Sequence, residues 1–434
     1  MTRSIFLLMM LMLPASLAAQ DAALTAADCM RYAVEHNHDI RINELTQDSR
    51  RAERTAAIGA FLPAISGSIG AQYNFGRAID PETNTYTNVS TFYNGYSVQA
   101  SLPIFDGFQR INQLRAAKAS VLMGNSLLRA RQDELALQVY EAFCNALYYQ
   151  GTVRMAEEKR RQSEMTLHQT RVMAEVGQKS EADVAQMEAQ LAADDYEITR
   201  QQNELSTALL SLKQLMNYPE SDTLMITQRN ANAQSAPDDV ITLELPALAA
   251  AAQNVVVARR NLGIARGALS PSLSISGGIS TSFNKMLHNE TTGFRDQLSN
   301  NRGEYVYASV SIPIFNRLQT ITSIRKQRNN LRIAEEELAQ KRDELTKLQL
   351  QAENDCEGYR KQTLQMLRKV EADSIAARLT TRKYEEGLSS AIDVQTSTAT
   401  LLESRARLLQ CQLMLALKQK LVNYYKGYAL WTER

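Results

Sequence analysis

Residues able to do chemistry are sparse in this chain, and the most suggestive of them come as a pair. Asp183 follows Gly177 in "EVGQKSEAD", and Asp393 follows Gly387 at the same spacing in "EEGLSSAID". A carboxylate just inside a helix that follows a tight turn is favoured by the partial positive charge of the helix N-terminus. Catalysis has no comparable signal. The four histidines stand at 36, 38, 168 and 288, and two histidines two residues apart on a helix do not share a face. No HExxH, GxSxG, Walker or dinucleotide fingerprint occurs. The sequence therefore predicts no enzyme, no metal site and no cofactor, with the histidines at the surface. Cys144, Cys356 and Cys411 fall within helical patterns, so buried free thiols are expected, although the exported compartment permits disulfides. Cys29 is too far from the apolar leader to carry a lipid anchor.

The elements that must position these residues are announced by a leader and a duplication. "MTRSIFLLMMLMLPASLAAQ" has a basic Arg3, an apolar run from Ile5 to Leu13 and small residues up to Ala19. It reads as a secretory signal peptide over residues 1–20, cleaved between Ala18 and Asp21. No later segment offers the roughly 20 apolar residues of a membrane-spanning helix. Charge is balanced, 48 Lys plus Arg against 47 Asp plus Glu, so nothing points to nucleic acid.

"SLPIFD" at 101–106 returns as "SIPIFN" at 311–316, an offset of 210 residues. At the same offset the heptad ladder Leu114, Val121, Leu128, Leu135, Ala142 and Tyr149 meets Ile324, Leu331, Leu338, Leu345, Ala352 and Tyr359. A second ladder, Val184, Leu191, Ile198, Leu205 and Leu212, meets Val394, Leu401, Leu408, Leu415 and Val422. One structural plan must therefore serve both halves.

In that plan a helix (Thr25 to Gly59, within 21–60, and again within 245–269) leads into a β-hairpin over 61–105 and 270–315. Ile65, Ile69, Ala71, Tyr73 and Phe75 alternate with Ser66, Ser68, Gly70, Gln72 and Asn74, the period of a strand with one apolar face. Tyr96, Val98, Ala100 and Leu102 form one face of the next strand, and Val306, Ala308, Val310 and Ile312 that of its copy. Two long helical hairpins follow, over 106–217 and 316–427, with turns near 177 and 387. Their sevenfold repeat predicts helices that coil around neighbours. A linker at 218–244 and a tail at 428–434 complete the chain. Pro63, Pro103, Pro271 and Pro313 are expected at the four joints where strand meets helix, since a missing N–H interrupts neither ladder nor helix there. The expected fold is mixed: long antiparallel coiled-coil helices plus four β-strands per chain. Four strands cannot close a barrel, so oligomerisation would supply the rest.

The opening "LTAADCMRYAVEHNHDIRI", the doubled "LPIF"-type joints, the turns "VGQKSEADV" and "EGLSSAIDV" and the duplicated heptads together resemble the TolC-like outer-membrane efflux family, over essentially the whole mature chain. That resemblance implies a homotrimer in outer-membrane lipid. A 12-stranded transmembrane β-barrel would continue into a periplasmic α-barrel of twelve helices, docking to a periplasmic adaptor (membrane fusion protein) and an inner-membrane transporter. The function implied is a passive exit duct for efflux or type I secretion.

The turns would form the periplasmic tip, with Val176, Gly177, Gln178, Glu386, Gly387 and Leu388 meeting the adaptor; the glycines serve equally to permit φ > 0 at a helix end. In a trimer Asp183 and Asp393 would make six carboxylates at a narrow mouth, attracting cations and raising one another's pKa. Tyr384 matches a tyrosine that latches the tip in some relatives. Two positions depart from the family: Thr396 stands where some members carry a second acid, and Ser389 where a basic latch partner is expected. Loops 77–91 and 285–302 would face outside the cell, with Tyr86, Phe92, Tyr93, Phe294 and Tyr305 in an interfacial belt. The alternative is a soluble periplasmic coiled-coil structural or adaptor protein whose strands pack as a small sandwich.

Overall fold

The structure, a computed structural model, describes residues 23–79, 84–88, 90–227, 245–286 and 293–431. The expected signal peptide, most of the linker and His288 lie outside the described residues. The chain divides into two units, one comprising Met1–Arg41, Arg131–Leu243 and Thr346–Arg434, the other Ile42–Ala130 and Glu244–Leu345.

The second unit carries the sheet. Strands β1 (Ala64–Asn74), β4 (Thr91–Phe105), β5 (Ser272–Met286) and β6 (Gly303–Ser311) pair antiparallel in the order β1-β4-β5-β6. Each half supplies one hairpin in the same register: Ala64 faces Ser101 in the first, Ser272 faces Ser311 in the second. The two hairpins join through β4 and β5, where Val98 faces Ile279. Residues opposite each other in an antiparallel pair share a face, so Ile65, Ile69, Val98, Ile275, Ile279, Val306 and Val310 stand on one side. Serine, glycine, glutamine and asparagine dominate the other, with Ser68 bonded to Ser97 at 2.8 Å and Ser276 to Ser101 at 3.2 Å. The apolar side is uncovered: Ile69 is 76% exposed and Val306 82%.

The segments expected to be plain polar loops hold structure. A small ladder pairs β2 (Arg77–Ile79) with β3 (Tyr86–Asn88), and α6 (Phe294–Asn300) lies beside β5. The Gln297 amide accepts from Asn284 N–H and donates to its carbonyl, both at 2.9 Å. This side chain takes the place of a strand beyond Ser280, where pairing with β6 stops.

Three of the joint prolines flank strands; Pro103 differs, lying inside β4, opposite Ser274 at an irregularity in register. It is tolerated because β1 pairs β4 only as far as Ser101. The doubled phrase encodes an unusual turn. Gly107 and Phe108 have φ of 67° and 65°, and their counterparts Arg317 and Leu318 have 56° and 65°. Two successive residues of positive φ stand just before each helix starts, a conformation side chains other than glycine adopt at a cost. In the first copy glycine is doubly required, because a Cβ on Gly107 would stand 2.3 Å from the Gly267 carbonyl oxygen. Also in this unit, α5 (Pro246–Gly267) packs Val255 and Ala258 on Ala334.

In the first unit the expected single helix from Thr25 is broken. α1 (Ala26–His36) and α2 (His38–Gly59) part at Asn37, whose extended backbone ends one helix while its side-chain oxygen accepts from Asp39 N–H at 2.7 Å. Asn37 also donates to the Leu215 carbonyl, and Asn217 donates to the His36 carbonyl, at 2.9 and 3.1 Å. The two asparagines cap each other's helix ends, so the break is fixed by a long-range contact that the local pattern does not contain.

The long helices are α3 (Gln109–Glu175), α4 (Glu181–Met216), α7 (Gln319–Glu385) and α8 (Ala391–Tyr425). α3 and α7 have 67 residues each, roughly 100 Å at the usual rise. The segment expected as a tail is anchored: Trp431 is buried and its indole N–H donates to the buried Asp133 at 3.3 Å. The cysteines are free thiols, Cys29 and Cys144 buried and Cys356 and Cys411 half-buried. Burial pushes the first two up to about 12. His36, His38 and His168 are exposed.

Candidate functional site at the helix turns

Each long helix ends in the same device. At the first turn, Gln178 N–H bonds the Met173 carbonyl at 2.8 Å and Gly177 N–H the Ala174 carbonyl at 3.0 Å; at the second, Leu388 bonds Lys383 at 2.7 Å and Gly387 bonds Tyr384 at 2.9 Å. These are the two bonds of a Schellman ending, with Gly177 and Gly387 at φ 79° and 76°. A Cβ on either glycine would meet nothing within 4 Å. Glycine is thus selected here by backbone conformation, while Val176 and Leu388 beside it project 66% and 73% exposed.

The returning helices start with matched capping boxes. Ser180 and Ser390 are the N-caps, and Asp183 and Asp393 stand at the third helical position. Asp183 Oδ2 accepts from Ser180 N and Oγ at 2.9 and 2.8 Å, and Asp393 Oδ2 from Ser390 N and Oγ at 2.9 and 2.7 Å. Ser389, which stands at the position of the missing basic residue, adds a third bond to Asp393 at 2.9 Å. The backbone and hydroxyl of Ser180 hold the Asp183 carboxyl below its ordinary value. The hydroxyl and backbone of Ser390, then Ser389, do the same for Asp393. Within one chain both acids are therefore biased towards charge; the raised pKa expected of a carboxylate ring belongs to an assembly of several chains.

Behind the turns lies a small core of Leu167, Met187, Tyr384, Ala391 and Val394, with Val184 and Leu191 against it. It draws on α3, α4, α7 and α8 and so ties the two repeats together. Tyr384 is 1% exposed. Thr170 spends its hydroxyl proton on the Thr166 carbonyl at 2.8 Å, so the Tyr384 hydroxyl is the donor in their 2.7 Å bond. Lys179 sits 5.3 Å from the centre of the Tyr384 ring. Tyr384→Phe keeps the ring and removes only that bond. It is expected to lower stability by about 1 kcal/mol and to speed amide exchange at residues 380–395, measured by mass spectrometry.

Higher on the same hairpins is a cluster that periodicity did not reveal. Asp194, buried on α4, accepts from Ser163 at 2.5 Å and Gln190 at 2.8 Å and pairs with Lys159 at 2.8 Å. In the second repeat Lys369 pairs with Asp373 at 2.6 Å and donates to the buried Ser404 at 2.8 Å, and Ser404 bonds Asp373. At the offset of 210, lysine matches lysine, while Ser163 and Asp194 match Asp373 and Ser404. Acid and hydroxyl have exchanged helices and the clasp survives. Aligning the two repeats position by position would have exposed this exchange.

Long duplicated helical hairpins, a four-stranded antiparallel sheet and polar capped turns define a TolC-like channel fold. The model of the outer membrane efflux protein family matches residues 30–218 and 241–422, and the chain belongs to that family. Membership places it in the outer membrane, with a periplasmic extension. It is 22% identical over 397 residues to the alkaline protease secretion protein AprF of Pseudomonas aeruginosa, covering 86% of this chain and 75% of the relative. It is 21% identical over 201 residues to the proteases secretion protein PrtF of Dickeya chrysanthemi, a match spanning 45% of this chain and only 43% of that relative's length. Among solved structures, the Campylobacter jejuni CmeC outer membrane channel superposes with a TM-score of 0.77 at 15% identity, covering 93% of this chain and 85% of that one. No helix among the described residues is long and apolar enough to cross a membrane.

Proposed function

We propose that this protein is the passive exit duct of an efflux or type I secretion system: a homotrimer with a 12-stranded barrel and a ring of twelve helices, engaging a periplasmic adaptor and through it an inner-membrane transporter. The observation that carries this is the sheet. Among the described residues nothing covers its apolar face, and its outer strands β1 and β6 are almost wholly exposed, with no strand paired on their outer edges. Such edges are not tolerated in lipid and aggregate in water. Pairing β6 of one copy with β1 of the next removes both and turns the apolar faces outward, which a soluble sandwich of one four-stranded sheet does not achieve. In this plan the hairpins at 61–105 and 270–315 lie in the membrane and the helical hairpins at 106–217 and 316–427 in the periplasm.

In this reading the exposed Val176 and Leu388, with Gly177, Gln178, Glu386 and Gly387, are the adaptor's footing. Tyr384 holds the tip core, and Asp183 and Asp393 form the acidic ring. The test is native mass of the detergent-extracted protein, followed by single-channel conductance in planar bilayers with a trivalent cation. A trimer whose current is blocked by the cation is expected. Asp183→Asn combined with Asp393→Asn, which keeps an acceptor for each serine, should release the block.

The pH sign follows from the serine bonds. A depressed folded pKa keeps both acids charged above their unfolded value, and their contribution to the caps is lost as pH falls through the folded one. Block is therefore expected to persist from about pH 8 to 5 and to fade only below about pH 4. A soluble monomer would sink the duct; fading already near pH 6 would mean that mutual repulsion outweighs the serine bonds.

A further inference from the structure

Within one chain, the returning helix of the second repeat packs on the outgoing helix of the first. A Cβ added to Gly151 on α3 would stand 2.2 Å from a Leu409 methyl on α8, Arg405 pairs with Glu158 at 3.5 Å, and Lys420 lies 5.8 Å from the centre of the Tyr140 ring. Because the two repeats are copies, the same step taken once more would lay α4 of one chain on α7 of another. The sheet obeys this operation too. Val98 of β4 faces Ile279 of β5; with Ser272 matched to Ala64 and Ser311 to Ser101, as the two hairpin registers set them, the repeated step sets Ala308 of β6 against Ala71 of a neighbouring copy's β1.

The residues at the repeated contact differ from the originals in an ordered way. Glu158 becomes Arg368, and Arg405 becomes Asp195, so the ion pair would recur with its charges reversed. The Lys420 and Tyr140 pair becomes Leu210 and Leu350, which are 53% and 56% exposed in the single chain. Arg368 is exposed, and the half-exposed Asp195 carboxylate pairs with Arg160 of its own hairpin at 2.8 Å.

We propose that α4 and α7 form the helical interface between copies of this chain, with Asp195 against Arg368 and Leu210 against Leu350 of the neighbour. The charges specify which repeat may follow which. First repeat beside second, and second beside first, give opposite charges. First beside first would oppose Asp195 to Glu158, and second beside second Arg405 to Arg368, both repulsive. Exposed pairs contribute little stability, and their value here is in rejecting the wrong neighbour. This rests on the proposed assembly and adds the surface that makes it.

The test pairs two variants of the full-length protein extracted in detergent. Leu210→Cys with Leu350→Cys in one chain should, on oxidation, yield covalently linked dimers and trimers on a denaturing gel, with each single variant remaining a monomer band. Arg368→Glu should lower the trimer-to-monomer ratio by about tenfold in low salt, through three exposed charge pairs. The deficit should vanish in 1 M salt, where screening shortens to about 3 Å; a merely structural arginine would show no such salt dependence. Double-cysteine protein that stays monomeric on the gel while wild type is trimeric by native mass would overturn the interface. So would a ratio unmoved by Arg368→Glu. A monomeric wild type would instead remove the assembly itself.

Discussion

Val98→Arg is expected to destabilise the lipid-embedded protein by about 2–4 kcal/mol per chain, while Gln99→Arg, one residue along the same strand, leaves it within about 0.5 kcal/mol. Val98 is 55% exposed on the apolar face of β4, between Gly67 and Ile279 on the neighbouring strands. Gln99 faces the other way, beside Ser66 and Gly278. In a barrel the first position meets hydrocarbon and the second an aqueous lumen, so the same guanidinium is penalised only at the first. Denaturant unfolding in lipid vesicles, followed by the loss of trimer on a mildly denaturing gel, measures both. Equal effects of the two substitutions would mean that the apolar face is not in lipid. The contrast is sharp because strand alternation reverses the environment in a single step.

The second large effect concerns the clasp on the helical hairpins. Asp194→Ala is expected to cost about 2–4 kcal/mol, somewhat below the loss from a fully buried pair because Lys159 keeps partial access to water. Asp194 has a side chain only 1% exposed and receives Ser163, Gln190 and Lys159 together, so its removal strands several donors at once. The second repeat already contains the rescue. Ser163→Asp combined with Asp194→Ser recreates the order of Lys369, Asp373 and Ser404, and is expected to recover more than half of the lost stability. Thermal unfolding of the detergent-extracted protein reports the total, and amide exchange over residues 188–200 shows whether the loss is local. If the exchanged pair were no better than Asp194→Ala, the two clasps would not be equivalent.

Much of the architecture was legible because it is written in local periods. Sevenfold spacing marks a helix that packs along its length, alternation marks a strand with two unlike faces, and proline, Pro103 apart, marks where neither continues. Reading these twice at one offset placed the four strands and four long helices, and Asp183 and Asp393 inside the helices that follow the turns. These are properties of residues a few positions apart, and a linear pattern holds them.

The tertiary structure decided what depends on residues distant in the chain. Asn37 breaks the first helix because Leu215 and Asn217 are there to complete its ends, 178 residues or more away. Tyr384 is core because Thr170, 214 residues earlier, takes its hydroxyl. The α6 segment became a helix beside β5 because an open strand edge offered Gln297 an N–H and a carbonyl. The exchange of Ser163 and Asp194 for Asp373 and Ser404 conserves a contact while conserving neither residue's place. Periodicity records which face of an element is apolar. It does not record which polar group will stand opposite, because that is fixed only when two elements meet and every buried donor must find an acceptor.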